Sequence, residues 1–283
     1  MEQDAPLTST AAEPVNRLVA LLDLERLDRD LFRAWNPPQP GGRQHALFGG
    51  QVAAHALRAA TLTVDADHHP HSLHGYFLRP GKDDAPTILR VDRIRDGRSF
   101  TTRTVVALQD GEAIFSLTAS FHKDEPGRQY QSEIDATVPT PDDLRAAGIS
   151  TNDWWGAESP FERIEVPQKY LDGSPRRAMW IRTAGRLPDD RSLHACVLTF
   201  ISDMGVVGAI RAALGRLDQH GMGASLDHSL WFHREARADE WLLFDVRAQS
   251  NAGARGLGVG SLHTLSGAHV VSIAQEALVR LPD

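Results

Sequence analysis

Asp227, His228 and Ser229 stand side by side in SLDHSLWFHR, and an acid, a base and a hydroxyl are the groups that nucleophilic hydrolysis uses. The spacing argues against a triad. Residues 225 to 233 alternate and are rich in Leu, Trp and Phe, so they read as a strand, with Asp227 and Ser229 on one face and His228 on the other. Three neighbours on a strand do not converge. Asp203 is a stronger candidate, because it is the only charged side chain in ACVLTFISDMGVVGAI, residues 195 to 210. A carboxylate in such an apolar run costs several kcal/mol of desolvation unless it is paired. It is either an N-cap, which Ser202 and Asp203 together resemble, or a functional group, and an Asp at a helix start can be both.

The chain that must position these groups has 283 residues, enough for one large domain or two smaller ones, each with a core. A hydrophobic content of 41%, a charged content of 24% and a net charge of -7 describe a soluble globular protein, with no basic excess for nucleic acid or an anionic membrane. An anionic substrate would need a local basic patch. The single Cys196 rules out an internal disulfide and lies in an apolar run, as a small buried side chain does. No secretory, peroxisomal or lipid-anchor signal is visible at the ends, so a cytoplasmic protein is expected.

After a polar tail at 1–14, VNRLVALLDLERL has the spacing of a short helix, and a longer helix is expected to start near Gly49. From Leu73 to His122 strand patterns follow, separated by RPGKDDAP, Asp96-Gly97 and Asp110-Gly111, as in an antiparallel meander. Residues 123 to 160 are Pro- and Asp-rich, the mark of a connector. RRAMWIRT reads as a strand, residues 195–214 as a helix, and a second strand series runs to Arg280.

This order of elements repeats. FGGQVAAHALRAAT aligns with ISDMGVVGAIRAAL, LHGYFLR with DHSLWFH, and GEAIFSLTA with GAHVVSIAQ, in one order and at nearly one offset. The chain therefore reads as a duplicated helix-plus-antiparallel-sheet unit of about 110 residues. Duplication also supplies a control, since a scaffold residue should have a similar counterpart and a specialised one need not. Asp203 falls opposite Gly50, Gln275 opposite Ala119 and Ser225 opposite His71, so all three are particular to the second half. Taken alone, Gln275 reads as an edge-strand amide facing water, and Ser225 as a turn residue.

Seven separated stretches fall in family order: LFGGQVAAHAL, HSLHGYFLRPG, RDGRSF, LPDDRSLHACVLTFISDM, SLDHSLWFHR, DEWLLFDVRAQSNAGARG and VVSIAQEALVR. Together, from about residue 16 to 280, they resemble acyl-CoA thioesterase II, the TesB type. The resemblance implies an α+β double hotdog, two tandem units each with an antiparallel sheet wrapped around a long central helix. Residues 15–124 would form the N-terminal hotdog, 125–160 the connector and 161–283 the C-terminal hotdog carrying the catalytic residues. It implies hydrolysis of fatty acyl-CoA to free fatty acid and CoA, with Asp203, Ser225 and Gln275 holding and activating the water. Many members have Thr where this chain has Ser225, which keeps the hydroxyl and loses the methyl that restrains its rotamer.

A thioester is already activated, so neither metal nor other cofactor is expected. The carbonyl oxygen must still be stabilised, by N–H groups near Gly49, Gly50 and Gln51 or near Asp203. Arg79, Arg98 and Arg255, at strand ends or turns, are candidates for CoA phosphates. His74 is carried as a substrate contact, although nothing in the sequence sets a carboxylate or metal partner beside it or His55. HHPH at 68–71 is expected in a loop, with no more than adventitious metal binding. Direct attack by water is expected rather than an acyl-enzyme, since His228 projects from the face opposite Ser229. A homo-oligomer, dimer or tetramer, is expected, with acyl-CoA as its small-molecule partner. The alternatives are a hotdog enoyl hydratase, whose GDxNPxH string does not occur here, and an acyl-CoA-binding module without turnover.

Overall fold

The structure is a computed structural model, and it describes residues 12–36, 46–131, 138–151, 159–215 and 222–280. The chain enters through α1 (Ala12–Leu21) and the short hairpin of β1 (Glu25–Asp28) and β2 (Leu31–Ala34). The helical spacing of residues 15–27 thus holds only as far as Leu21, because Glu25–Asp28 pairs with β2 instead. Most of the polar tail lies outside the described residues.

Next comes α2 (Gly49–Thr61), then β3 (His68–Phe77), β4 (Thr87–Asp96), β5 (Phe100–Gln109) and β6 (Glu112–Lys123). Ala53, Ala54, Ala56, Leu57, Ala59 and Ala60 of α2 are all fully buried. Small side chains let the sheet close tightly around this helix, and packing density rather than length of side chain makes the core. Between β5 and β6 the turn Asp110-Gly111 has φ of 50° and 81°, the left-handed pair that a two-residue hairpin requires.

Two expectations for this half need correction. The strands are not a simple meander, since their spatial order is β4-β5-β6-β3. β3 crosses to the far side of β6, which leaves its other edge for the second half. HHPH is not a loop either: His68–His71 opens β3, and Pro70 is accommodated beside an irregularity in the pairing with β6.

The connector contains α3 (Pro141–Ala146), started by a reciprocal cap between Thr140 and Asp143. Then follow β7 (Phe161–Glu165), β8 (Arg176–Thr183), α4 (Arg191–Ser202), α5 (Val206–Ala213), β9 (Met222–Ser225), β10 (Asp227–Phe232), β11 (Leu242–Ala252), β12 (Arg255–Thr264) and β13 (His269–Arg280). One 13-stranded sheet runs β1-β2-β4-β5-β6-β3-β10-β13-β12-β11-β8-β7, with β9 also on β13. The order β4-β5-β6-β3 on one side of the β3–β10 seam is mirrored by β11-β12-β13-β10 on the other, so the duplication is built into the sheet as a double hotdog.

The helical run read at 195–214 is in fact two helices. α5 is the counterpart of α2 and packs on β8, β11, β12 and β13, while α4 precedes it and lies against α2. The two run antiparallel: Asp203, just past the end of α4, meets the start of α2, and Arg58 near the end of α2 pairs at 3.3 Å with Asp190, the N-cap of α4. Opposed helix dipoles suit this arrangement. Residues 191–213 are apolar enough to span a membrane, yet 83% of the most apolar 18-residue window in that stretch is buried inside the fold, and the stretch is broken at Asp203.

Candidate active site

Asp203 is the C-cap of α4, and Gly205 precedes the first residue of α5. It therefore does not cap a following helix, as its place beside Ser202 suggested. Its carboxylate leaves its own half and crosses to the first residues of α2, where Gly50 N–H donates to Oδ2 at 2.9 Å. Such an approach needs glycine. A β-carbon on Gly49 would stand 2.7 Å from Asp203 Oδ2, and one on Gly50 would stand 2.4 Å from the backbone oxygen of Phe200. The Gly-Gly pair is thus explained by contact between the halves.

The other carboxylate oxygen faces the second half. Gln275 Nε2 donates to Asp203 Oδ1 at 2.8 Å and to Ser225 Oγ at 2.6 Å, and Ser225 O–H donates to the same Oδ1 at 3.3 Å. Ser225 ends β9 and Gln275 sits mid-way along β13, where Ala277 pairs with Ser225. Gln275 is fully buried on an interior strand, so it is neither at an edge nor exposed to water. Burial raises the Asp203 carboxyl above its ordinary value, against the opposing pull of His228, Gln275, Gly50 and Ser225. A carboxylate so placed is a better proton acceptor than a free aspartate.

Of DHS, two residues are scaffold. Asp227 accepts the backbone N–H of Glu276 at 2.6 Å, pinning β13 where β9 gives way to β10, and Ser229 bonds His74 Nδ1 at 3.1 Å on the outer face. His228 is different. It is fully buried on the inner face, with Nε2 2.7 Å from Ser202 Oγ, next to the acid. Alternation correctly separates it from Ser229, but the face it occupies is the one that carries the site. Its opposite strand neighbour is Gly75, and no spacing in the sequence shows that.

Comparison with known proteins shows the family to which this fold belongs. Residues 37–122 match the family model for the acyl-CoA thioesterase N-terminal domain, and residues 157–278 the model for acyl-CoA thioesterase. Human acyl-coenzyme A thioesterase 8 is 35% identical over 93% of this chain and 89% of its own length. This chain belongs to the acyl-CoA thioesterase family. Acyl-CoA thioesterase 2 of Haemophilus influenzae is 33% identical over 95% of the chain and 99% of its own length. Among solved structures, acyl-CoA thioesterase II TesB2 from Mycobacterium marinum superposes with a TM-score of 0.81 at 38% identity, covering 94% of this chain and 99% of that one. A hot dog fold protein from Alicyclobacillus acidocaldarius, with a TM-score of 0.78 at 18% identity, shares the fold. The chain is an acyl-CoA thioester hydrolase with a double hotdog fold.

The remaining candidate residues of this thioesterase are not all brought together. Gln51 is buried, but its side chain turns to Asn36 Oδ1 at 3.0 Å and its N–H to the Phe48 carbonyl at 3.1 Å. Gly50 N–H is engaged by Asp203. Gly49, the first residue of α2, has no acceptor within the helix for its N–H. His74 lies on the exposed outer face, edge-on to Trp231, away from Asp203. Arg79 is exposed and pairs with Glu112 at the β5–β6 turn, Arg98 lies at the opposite end of β5, and Arg255 pairs with Glu276 on the outer face of β12. Strand length separates Arg79 from Arg98 by roughly 30 Å, so these two do not meet at one phosphate within the chain.

Other titratable groups have structural surroundings. His55 is buried with Nε2 3.0 Å from the Leu21 carbonyl, and burial lowers it to about 4. Burial likewise pushes the Cys196 thiol up to about 12, which removes it as a nucleophile near neutral pH. At the HHPH stretch, Asp65, Asp67 and His68 bring ligand atoms within 4.8 Å of one another, but Asp67 is held by Lys123 at 2.6 Å.

Proposed function

We propose that this thioesterase hydrolyses fatty acyl-CoA by direct attack of a water molecule that Asp203 deprotonates and Ser225 orients, with Gln275 holding both of those side chains in place. The observation that supports this most is the convergence of the three side chains within 2.6–3.3 Å of one another, from α4, β9 and β13, at the start of α2. With Oδ1 accepting from Gln275 and Ser225, and Oδ2 from Gly50, the carboxylate is oriented before substrate arrives. Its Oδ2 keeps a lone pair for the water. In the reaction the water oxygen bonds to the thioester carbon and its proton passes to Asp203. The carbonyl becomes an oxyanion, which Gly49 N–H and the positive end of α2 stabilise. Collapse then breaks the C–S bond, and the proton on Asp203 goes to the departing CoA sulfur.

The arrangement also argues against a serine nucleophile. The buried imidazole that would serve as base to a serine is bound to Ser202 and not to Ser225, whose Oγ accepts from Gln275. The test is free-thiol release over a series of acyl-CoA chain lengths, with rapid quenching and intact-mass analysis of the protein. Turnover without an acylated intermediate is expected, and an adduct on Ser225 that forms and decays at the turnover rate would overturn the mechanism. The exposed Tyr76 and Trp231 lie on the outer face of the seam strands, a surface suited to pairing with a second copy, and sedimentation at micromolar concentration should show at least a dimer.

A further inference from the structure

Gln275 has two nearly isosteric ends, and only one of its two orientations suits an ionised Asp203. With Nε2 toward the acid, both N–H bonds are used, one on Asp203 Oδ1 and one on Ser225 Oγ. Turned over, the amide would set Oε1 against a carboxylate oxygen, and Asp203 would have to hold a proton to tolerate it. A protonated Asp203 is no base. Something must therefore hold the other end of the amide. Gln275 Oε1 is buried and has no hydrogen-bond partner of ordinary geometry, and His228 Nδ1 is in the same condition. The two residues project inward from adjacent strands, one step beyond the Ser229–Ala274 pair of β10 and β13. Gln275 Oε1 and His228 Nδ1 are each a buried polar atom without a partner of ordinary geometry, and an imidazole N–H and an amide oxygen are the donor and acceptor that satisfy one another.

Burial holds His228 below its ordinary value despite Asp203 and Gln275, so near neutral pH it carries a single ring proton. Two neighbours compete for that proton. Ser202 Oγ, 2.7 Å from His228 Nε2 and 2.7 Å from the Thr199 carbonyl, can serve either tautomer, because a hydroxyl both accepts and donates. Gln275 Oε1 can only accept. A proton on Nε2 would leave two buried acceptors facing each other and would favour turning the amide over.

We propose that His228 is the positioning residue of this site: its Nδ1–H holds Gln275 Oε1 and keeps the amide turned so that both its N–H bonds reach Asp203 and Ser225. Ser202 completes the arrangement by donating its hydroxyl proton to Nε2 in place of the Thr199 carbonyl. This rests on the roles given above to Asp203, Ser225 and Gln275.

The test has two arms. Long-range proton–nitrogen NMR on protein labelled with 15N-histidine should show His228 as the Nδ1–H tautomer in the wild type, and the signal should change in Gln275→Ala. An Nε2–H tautomer in the wild type would overturn the proposal, whatever the activity. In the second arm, His228→Asn sets an amide nitrogen near the position of Nδ1, while His228→Gln reaches only the position of Nε2. The Asn variant should keep kcat within about 10-fold of wild type and the Gln and Ala variants should lose about 100-fold, with KM changed little. A residue that merely anchors Ser202 would give the reverse order, and that order would also overturn the proposal. Should Asp203→Asn prove as active as wild type, the base assignment fails instead, and the tautomer measurement still decides the role of His228.

Discussion

In the first half of the molecule α2 runs unbroken for 13 residues, while its counterpart α5 has 8, because the matching stretch is interrupted at Asp203–Gly205. The interruption is what frees a carboxylate from a helix side and aims it at the other half. Gly50 and Asp203 occupy the same place in the two repeats, and they touch each other, amide to carboxylate at 2.9 Å. A pseudo-twofold axis therefore passes between them. Acids at both positions would face one another as like charges at hydrogen-bond range, and one would have to stay protonated. Duplication supplies the sheet and helix twice, and the contact across the axis leaves room for one acid.

The sharpest way to break this comparison is to remove the acid. Asp203→Asn should lower kcat by ~10³-fold, within the usual range for a general base, with thermal unfolding still a single transition. Near-full turnover would return Asp203 to the scaffold, on a par with Gly50. Ser225→Ala should cost ~10- to 100-fold in kcat, because the water loses one of its orienting groups while the acid remains. Ser225→Thr should stay close to wild type, since it keeps the hydroxyl; a loss as large as that of Ala would mean the site has no space for the methyl.

The pH profile sharpens the contrast further. Asp203 must be ionised to accept a proton, and burial raises its carboxyl. Activity should therefore be present above that raised value and fall as pH drops through it, at a midpoint above the ordinary ~3.9 of an aspartate. The sign for stability is opposite: a raised carboxyl binds its proton more tightly when folded, so the contribution of this residue to stability is greatest in acid and lost as pH rises. An acid limb at the ordinary value would show that Asp203 is solvated like a surface group. The smallest effect is expected from Arg79→Ala, Arg98→Ala and Arg255→Ala, each changing kcat/KM by no more than roughly threefold, as exposed charges do. A tenfold rise in KM from any of them would bring that arginine back to the substrate.

Much of this was legible in the chain. Turn residues such as Asp110-Gly111 mark the hairpins because few residue pairs adopt left-handed φ, and the repeat marks two units because each needs the same helix and strands. Asp203, Ser225 and Gln275 stood out by having no like counterpart in the other half, and the structure brings them together. Arg79, Arg98, Arg255 and His74 had only residue type in their favour, and exposed arginines and histidines are common on any surface. The break between α4 and α5 was hidden because both helices are apolar, and periodicity cannot find the joint between two buried helices.

By itself, the sequence determined the duplicated α+β architecture, the family and the three side chains that only the second half carries, because these depend on local pattern and on comparison of the chain with itself. Tertiary structure alone decided the far placement of β3, the crossing of Asp203 to the amide of Gly50, and the inward side of β10 on which His228 lies. The physical reason is the same for all three. Alternation says that neighbours on a strand face opposite ways, but which way is inside depends on what the sheet wraps around, and here that is a helix pair drawn from both halves.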